Sequence, residues 1–256
     1  MPEEPTNTHF DARPEIYDAM VDWSRRLERE APFYQRLFAE IGVSRVLDVA
    51  CGTGHHAAMF NSWGLHVTGA DVDPDMLAYC RQQWNGRSHL DWIKRSFEQP
   101  ADPPASFDAA ICVGNSLAIA ADSETVEQVL SAMRTSIRAG GVIVVQVLNL
   151  WRLSEGPTTW QKCKRIRLGD DDRIVLKGIH RIGSRGFVDF VALDLKDDTV
   201  TSHFHTANIH GFEAQMLQSL AERAGLTEIQ LFGSYDEQPY DREESQDIIL
   251  VAHRRT

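Results

Sequence analysis

Two carboxylates and a pair of glycines carry the clearest chemistry in this 256-residue chain. Val46-Leu47-Asp48-Val49 runs into Ala50-Cys51-Gly52-Thr53-Gly54, so a β-forming run ends in a glycine-flanked turn before a helix-period segment at 54–62. A buried parallel strand that stops in such a turn at a helix N-terminus is the usual cradle for a nucleotide-like cofactor. Asp71 closes a second apolar run, Leu65-His66-Val67-Thr68-Gly69-Ala70. It falls roughly 20 residues past the turn, where an acid in such folds accepts hydrogen bonds from ribose hydroxyls.

The glycine spacing narrows the ligand. A dinucleotide fold uses G-x-G-x-x-G, whose amides face a pyrophosphate. Here Gly52-Thr53-Gly54 is followed by His55-His56, and Asp48 at the turn would repel a phosphate. An adenosyl group with a cationic amino-acid end fits better, with Asp48 meeting the ammonium and Asp71 the ribose. An NAD-dependent dehydrogenase is the poorer alternative on both counts.

These residues need a sheet to hold them. Strand-like runs recur at 45–50, 66–71, 90–94, 107–113, 141–148, 226–232 and 246–253, with helical patterns at 54–62, 74–84 and 122–138 between the first five. That alternation predicts an α/β fold with a doubly wound, seven-stranded, mostly parallel sheet whose final strand is reversed. Gly140-Gly141 reads as a turn before the fifth strand. From Pro14 to Ile41 apolar residues recur at helical spacing, giving two helices broken near Pro32; residues 1–12 read as disordered. Around 160–208 the alternation gives way to period-2 segments starting at Arg173, Phe187 and Thr199, split by Gly183-Ser184-Arg185-Gly186 and Lys196-Asp197-Asp198. Those are hairpin signals, and they predict an antiparallel insertion after the fifth strand, before a helix at 211–224. The organisation expected is thus a tail with lid helices over 1–41 and one domain over 42–256 with the insertion inside it. The insertion is expected to be an acceptor lid, the alternative being a purely structural sheet that thickens the domain or mediates dimerisation into a homo-oligomer.

Composition sets outer bounds. A net charge of −11 argues against a nucleic-acid partner, which needs a basic stripe to displace counterions. Hydrophobic content of 43% and charged content of 25% belong to an ordinary globular protein with a substantial core. Cys51, Cys80, Cys112 and Cys163 are scattered, and neither His55-His56 nor His203-Phe204-His205 has metal-ligand spacing, so no metal is expected. The acidic N-terminus lacks signal-peptide features, and no apolar run reaches the ~18 residues of a membrane span. The expected setting is cytoplasmic, with no membrane partner.

Leu47-Asp48-Val49-Ala50-Cys51-Gly52-Thr53-Gly54 resembles the first motif of the class I S-adenosylmethionine-dependent methyltransferases, and Gly69-Ala70-Asp71-Val72-Asp73-Pro74-Asp75-Met76-Leu77 their second. Val21-Asp22-Trp23-Ser24-Arg25-Arg26 and Cys112-Val113-Gly114-Asn115-Ser116 bring the chain nearest to the glycine and sarcosine N-methyltransferase group. The resemblance covers most of residues 10–150 and the last third more loosely. It implies S-adenosylmethionine as cofactor, with Asp48, Ala50, Gly52 and Gly54 lining the loop, Asp71 on the ribose and Val72 against the adenine. Ser96 and Phe97 sit where the family contacts the base, and Val113 and Asn115 lie beneath the methionyl part. Tyr17, Trp23 and Arg26 come from a helix that closes over the donor, with Arg26 on its carboxylate and Arg25 as the rival arginine.

The acceptor side departs from that group. Asn115 and Asn149 end the fourth and fifth strands and are the candidate catalytic residues together with Arg152. Leu150-Trp151 stands where the glycine-type enzymes carry a tyrosine. Arg152, Arg165, Arg167 and Arg181 are candidates for a carboxylate clamp with no obvious counterpart. Methyl transfer from a sulfonium asks for alignment and desolvation more than for acid–base groups, so the lack of a nucleophile–histidine pair is expected. The expected activity is methyl transfer to a small-molecule amine or hydroxyl. Cys112-Val113-Gly114-Asn115-Ser116 in place of [DN]-P-P-[YF] argues against a nucleic-acid base as acceptor. The alternative from another class is a non-catalytic module that binds the donor.

Overall fold

The computed structural model describes residues 14–168, 171–196 and 199–255. The N-terminal tail expected to lack order, and Asp197-Asp198 of the last hairpin signal, lie outside these residues. Two helices open the described chain, α1 (Pro14–Met20) and α2 (Trp23–Ile41). A main sheet follows, built from β1 (Arg45–Val49), β2 (His66–Asp71), β3 (Leu90–Lys94), β4 (Phe107–Cys112), β5 (Ile137–Leu148), β10 (Leu226–Phe232) and β11 (Asp247–Arg254). Helices α3 (His55–Ser62), α4 (Pro74–Gln83), α5 (Ser123–Ser136) and α6 (Ala214–Arg223) are its connections. Strand order is β10-β11-β5-β4-β1-β2-β3, with β11 antiparallel to both neighbours and the pairs from β5 to β3 parallel. The seven-stranded sheet with a reversed last strand matches the sequence reading.

Period two divides the core between the faces of the sheet. Leu47 and Val49 of β1 pack with Ile143, Val145 and residues of α5 and α6. Val46 packs on the opposite face with Val142, Val144 and Phe33, Tyr34 and Phe38 of α2. Each such side chain, fully buried, contributes about 1.5–3 kcal/mol before ordering costs. Alternation then puts Asp48 on the α2 face with Val46, at the strand end where the glycine turn begins.

The N-terminal helices break at Val21-Asp22, not near Pro32, which lies within α2. Asp22 accepts a hydrogen bond from the Arg25 amide at 3.4 Å, an N-cap that starts the helix there. Burial of Phe33, Tyr34 and Phe38 just beyond Pro32 offsets the amide bond the proline removes. The Gly140-Gly141 pair is likewise not a turn but lies inside β5. Gly140 has φ 70°, and a Cβ on Gly141 would stand 2.7 Å from the Asp108 carbonyl oxygen. The pair bends the strand where its register with β4 shifts.

The insertion is a separate four-stranded antiparallel sheet, β6 (Thr159–Leu168), β7 (Asp171–Ile182), β8 (Arg185–Lys196) and β9 (Thr199–His210), in that order. Its first strand, β6, went unread in the sequence because Lys162, Lys164, Arg165 and Arg167 charge both faces. The inner face does not hang free. Val175 and Phe190 pack with Ile16 and Met20 of α1, while Ile179 and Ile209 join the main core beside Leu150 and Phe212. The Lys162 and Lys164 ammonium groups reach the Met20 and Ala19 carbonyl oxygens at 2.7 and 2.8 Å, capping the C-terminal end of α1. Among the described residues no helix is long and apolar enough to cross a membrane.

Candidate functional site

The glycine turn is built from left-handed backbone. Ala50, Gly52 and Gly54 have φ of 57°, 53° and 79°, a region that costs a residue with a Cβ and that glycine enters freely. At Gly54 space also decides, since a Cβ would lie 2.4 Å from the Trp92 ring. The Cys51 amide donates to the Ala70 carbonyl at 2.9 Å, which fixes the turn against the end of β2.

Asp71 stands at that end and locks the loop from the other side. Its Oδ2 accepts from the Gly52 amide at 2.8 Å, and its Oδ1 from the Asp73 amide at 3.0 Å. Burial raises its carboxyl above the usual range while these amides pull it down. Asp48 is more extreme. Burial, then the negative charge of Asp71, push its carboxyl up to about 8. Its Oδ2 is buried and meets no hydrogen-bond donor among the described residues. A buried, unpaired carboxylate oxygen is costly unless a cation or donor arrives to satisfy it.

Tyr17 and Arg26 converge on the end of β4. A Cβ on Gly114 would lie 3.8 Å from the Tyr17 hydroxyl and 3.9 and 4.0 Å from Arg26 Nη1 and Nη2. Gly114 and Asn115 are both left-handed, at φ 78° and 72°, so the chain turns sharply here. Arg26 is held by Glu30, whose Oε1 accepts from Arg26 Nε at 2.8 Å. The other Glu30 oxygen meets His56 Nε2 at 2.7 Å, and Glu30 is 1% exposed. Burial opposes both charges, but the pair outweighs it: Arg26 is held firmly protonated, and His56 and Arg26 keep Glu30 below the usual carboxylate range. Arg25 is exposed, whereas Arg26 is the arginine turned toward Gly114.

Other expected residues fall into supporting places. Trp23 stacks on His55 at 4.2 Å between centroids and donates its indole N–H to Asp18 at 2.8 Å. Asp18 also meets His55 Nε2 at 2.8 Å and the Tyr79 hydroxyl at 3.1 Å, so one carboxylate ties α1 to α2, α3 and α4. Val72 is half-buried beside Asp71, and Val113 is buried in the core on the α2 face. Ser96 follows β3 and is half-buried, with its hydroxyl accepting from the Glu98 amide at 3.4 Å. Phe97 packs on the main core beside α5, which accounts for its side chain without a ligand.

The acceptor candidates fall in different places. Asn149, 1% exposed, accepts from the Trp151 amide and the Tyr240 hydroxyl and donates to the Arg242 and Ser245 carbonyls. Its hydrogen-bonding capacity is spent on the 240–245 loop, so it is a structural residue. Asn115 accepts from the Leu148 amide at 2.8 Å through Oδ1, which leaves its NH2 group for a ligand. Arg152 is exposed, Arg165 and Arg167 project outward from β6, and Arg181 bonds the Leu153 and Gly183 carbonyls and Glu155. None of these four sits among the cleft residues.

Three contributors were missed. Glu30 was legible as the i, i+4 partner of Arg26. Asp18 carried no signal. Arg95 follows β3, where an acid is common in the resembling family. Its amide donates to the Asp71 carbonyl at 2.9 Å, and its Nε and Nη1 are buried without a partner among the described residues. Among those residues no cluster of His, Cys, Asp or Glu could hold a metal ion.

This arrangement fits S-adenosylmethionine: Asp48 offers an orphan oxygen for an ammonium, Arg26 a buried cation for a carboxylate, and Asp71 an acceptor for ribose hydroxyls. The comparisons agree. Residues 46–141 match the family model described as a methyltransferase domain. The chain is 34% identical over 146 residues to the glycine/sarcosine N-methyltransferase of Parasynechococcus marenigrum (strain WH8102), a match covering 55% of this chain and 50% of the relative. The chain thus spans about half the length of the curated relatives it matches. The sugar N-methyltransferase KedS8 from Streptoalloteichus sp ATCC 53650 shares the fold at a TM-score of 0.77 and 23% identity, over 97% of this chain and 96% of that one. So does CalS10, an amino pentose methyltransferase from Micromonospora echinaspora solved with S-adenosylmethionine bound, at 0.73 and 19% over 96% and 98%.

Proposed function

We propose that this chain, built as a class I S-adenosylmethionine-dependent methyltransferase, moves the donor's methyl group onto the nitrogen of a small amine. The observation that carries the reading is the pairing of opposite needs in one cleft. Asp48 lacks a cation, and the guanidinium of Arg26, fixed by Glu30 through Nε, turns Nη1 and Nη2 toward Gly114. An amino-acid end with an ammonium and a carboxylate answers both, and on this reading Asp71 takes the ribose of its adenosyl end.

Bound S-adenosylmethionine supplies a methyl group already activated by its sulfonium charge. The protein's part is alignment in a dry cleft, to which Tyr17, Gly114 and the Asn115 NH2 group contribute. The curated relative named for glycine and sarcosine, and the solved structures named for amino sugars, favour nitrogen over oxygen as the acceptor atom.

Calorimetry with the donor, followed by an acceptor screen with methyl-labelled donor, tests the reading. Donor binding, product release of the demethylated cofactor and label on an amine are the expected results. Binding without turnover on any amine or hydroxyl would make the chain a donor-binding module. Tighter binding of NAD than of the donor would return the dehydrogenase reading.

A further inference from the structure

The inner face of the insertion carries a row of side chains set by strand register. Lys162 of β6 pairs with Lys177 of β7, Lys177 with Phe190 of β8, and Phe190 with His205 of β9. The row is bracketed. Val175, two residues before Lys177 and on the same face, packs on α1; Ile179, two residues after it, joins the main core. Lys177 therefore faces the junction of α1 with the methyltransferase domain, the junction at which Tyr17 and Arg26 meet Gly114. Burial, then the charges of Lys162 and Arg26, pull the Lys177 ammonium down to about 8.

Two lysines directly opposite each other on adjacent strands repel, and the sheet needs a reason to keep them. Lys162 has one, its 2.7 Å bond to the Met20 carbonyl at the end of α1. Lys177 has no such bond among the described residues. Its ammonium stands 5.7 Å from the Phe190 ring centroid, and it meets no carboxylate or carbonyl among those residues. Glu30 does not neutralise it, because both Glu30 oxygens are engaged by Arg26 and His56. A poorly hydrated cation over an aromatic face, on the sheet face that packs against α1, is suited to an anion.

We propose that Lys177, supported by Lys162, holds an anionic group of the methyl acceptor, so that the acceptor is an amine that also carries a carboxylate or a phosphate. This rests on the methyltransferase reading above. It assigns the acceptor clamp to the insertion and to a lysine, where Arg152, Arg165, Arg167 and Arg181 were the expected candidates. The insertion then has two tasks: it closes α1 over the donor and presents the charge that selects the acceptor.

Matched amines that differ only in the anion test the assignment, glycine against glycinamide and glucosamine 6-phosphate against glucosamine, each with labelled donor. The wild-type protein is expected to favour the anionic member of at least one pair by roughly tenfold or more in KM, and the pair that responds identifies the anion. Lys177→Met, with Lys177→Gln as a second variant, should level that preference, leave donor affinity within about twofold, and melt no lower than wild type, since it removes a desolvated charge. Lys177→Arg should keep most of the preference. Equal use of the neutral members, a preference that survives Lys177→Met and Lys177→Gln, or no turnover of any of the four amines while donor binds would overturn the clamp. Failure of the wild-type protein to bind donor would overturn the methyltransferase reading itself, and the clamp with it.

Discussion

Arg26 Nε and Glu30 Oε1 stand 2.8 Å apart across one turn of α2, and Glu30 is 1% exposed. A carboxylate that deep is held in one place by its neighbours, and His56 at 2.7 Å fixes its second oxygen. The pair thus aims the guanidinium: Nε is taken, and Nη1 and Nη2 are turned toward Gly114. An i, i+4 pair on an exposed helix face contributes only about 0.3–0.5 kcal/mol, so its burial at this cleft has a purpose beyond helix stability.

Arg26 variants separate the two roles. Arg26→Ala leaves the buried Glu30 with His56 and a longer, 3.9 Å contact to the more exposed Arg29, so it is expected to lower the melting temperature and to weaken donor binding together. Arg26→Lys keeps a cation beside Glu30 but not the fork, so it should melt near wild type while losing roughly tenfold in donor affinity. Arg25→Ala, on the exposed side, should do neither. Calorimetry with unchanged affinity in Arg26→Lys and Arg26→Ala alike would remove the helix from the donor site.

Asp71 anchors the loop as well as facing the ribose position. Asp71→Asn is expected to keep one acceptor for the Gly52 amide and to weaken donor binding roughly tenfold to a hundredfold, the range of a charge-assisted hydrogen bond. Asp71→Ala should in addition free the Gly52 and Asp73 amides and loosen the turn, which hydrogen exchange at Gly52 would register. NAD at comparable concentration should not displace the donor from wild type. Wild-type affinity in Asp71→Ala would place the ribose elsewhere.

The glycine turn and the acid that locks it were legible because each part has a local signature. The strand, the left-handed glycines and the acid at the end of β2 are all dictated within a few residues of one another. The sheet order followed from strand–helix alternation for the same reason. Where the reading failed, the deciding interaction joined distant residues. β6 carries Lys162 and Lys164 on one face and Arg165 and Arg167 on the other, a pattern with no apolar period, and it is the α1 carbonyls that engage the lysines. Pro32 looked like a helix break, but the Asp22 cap and the buried Phe33, Tyr34 and Phe38 override it. Asn149 looked like a ligand because it ends a strand, yet the loop at 240–245 claims its whole side chain.

That reassignment of Asn149 is itself testable. Asn149→Ala removes a buried side chain with both amide hydrogens and its oxygen engaged, at a cost on the order of 2–4 kcal/mol. The expected result is a clear fall in melting temperature, with KM for whichever amine the screen identifies unchanged at temperatures where the variant is folded. A variant that melts like wild type but loses turnover would restore Asn149 to the acceptor site.

Asp48 gives the sharpest test, because its cost to the unliganded fold and its use to the liganded one have opposite signs. Its carboxyl is raised to about 8 in the folded protein by burial and by Asp71, far above its value in the unfolded chain. The folded state therefore holds that proton longer than the unfolded state does. The Asp48 contribution to stability is at its best below about pH 4 and declines as pH rises toward 8. The decline runs through that window, so at neutral pH the buried carboxyl costs the unliganded fold on the order of a few kcal/mol. Asp48→Asn is thus expected to raise the melting temperature of the unliganded protein near neutral pH, and the gain should shrink in acid. Donor binding should suffer in the same variant. An ammonium prefers the ionised carboxylate, so donor binding below pH 8 should expel the Asp48 proton. Calorimetry in buffers of different ionisation enthalpy should show that release in wild type and a smaller release in Asp48→Asn. Equal proton release in both proteins, or an Asp48→Asn variant that melts lower and binds donor as tightly as wild type, would show that the orphaned oxygen serves the loop and not the ligand.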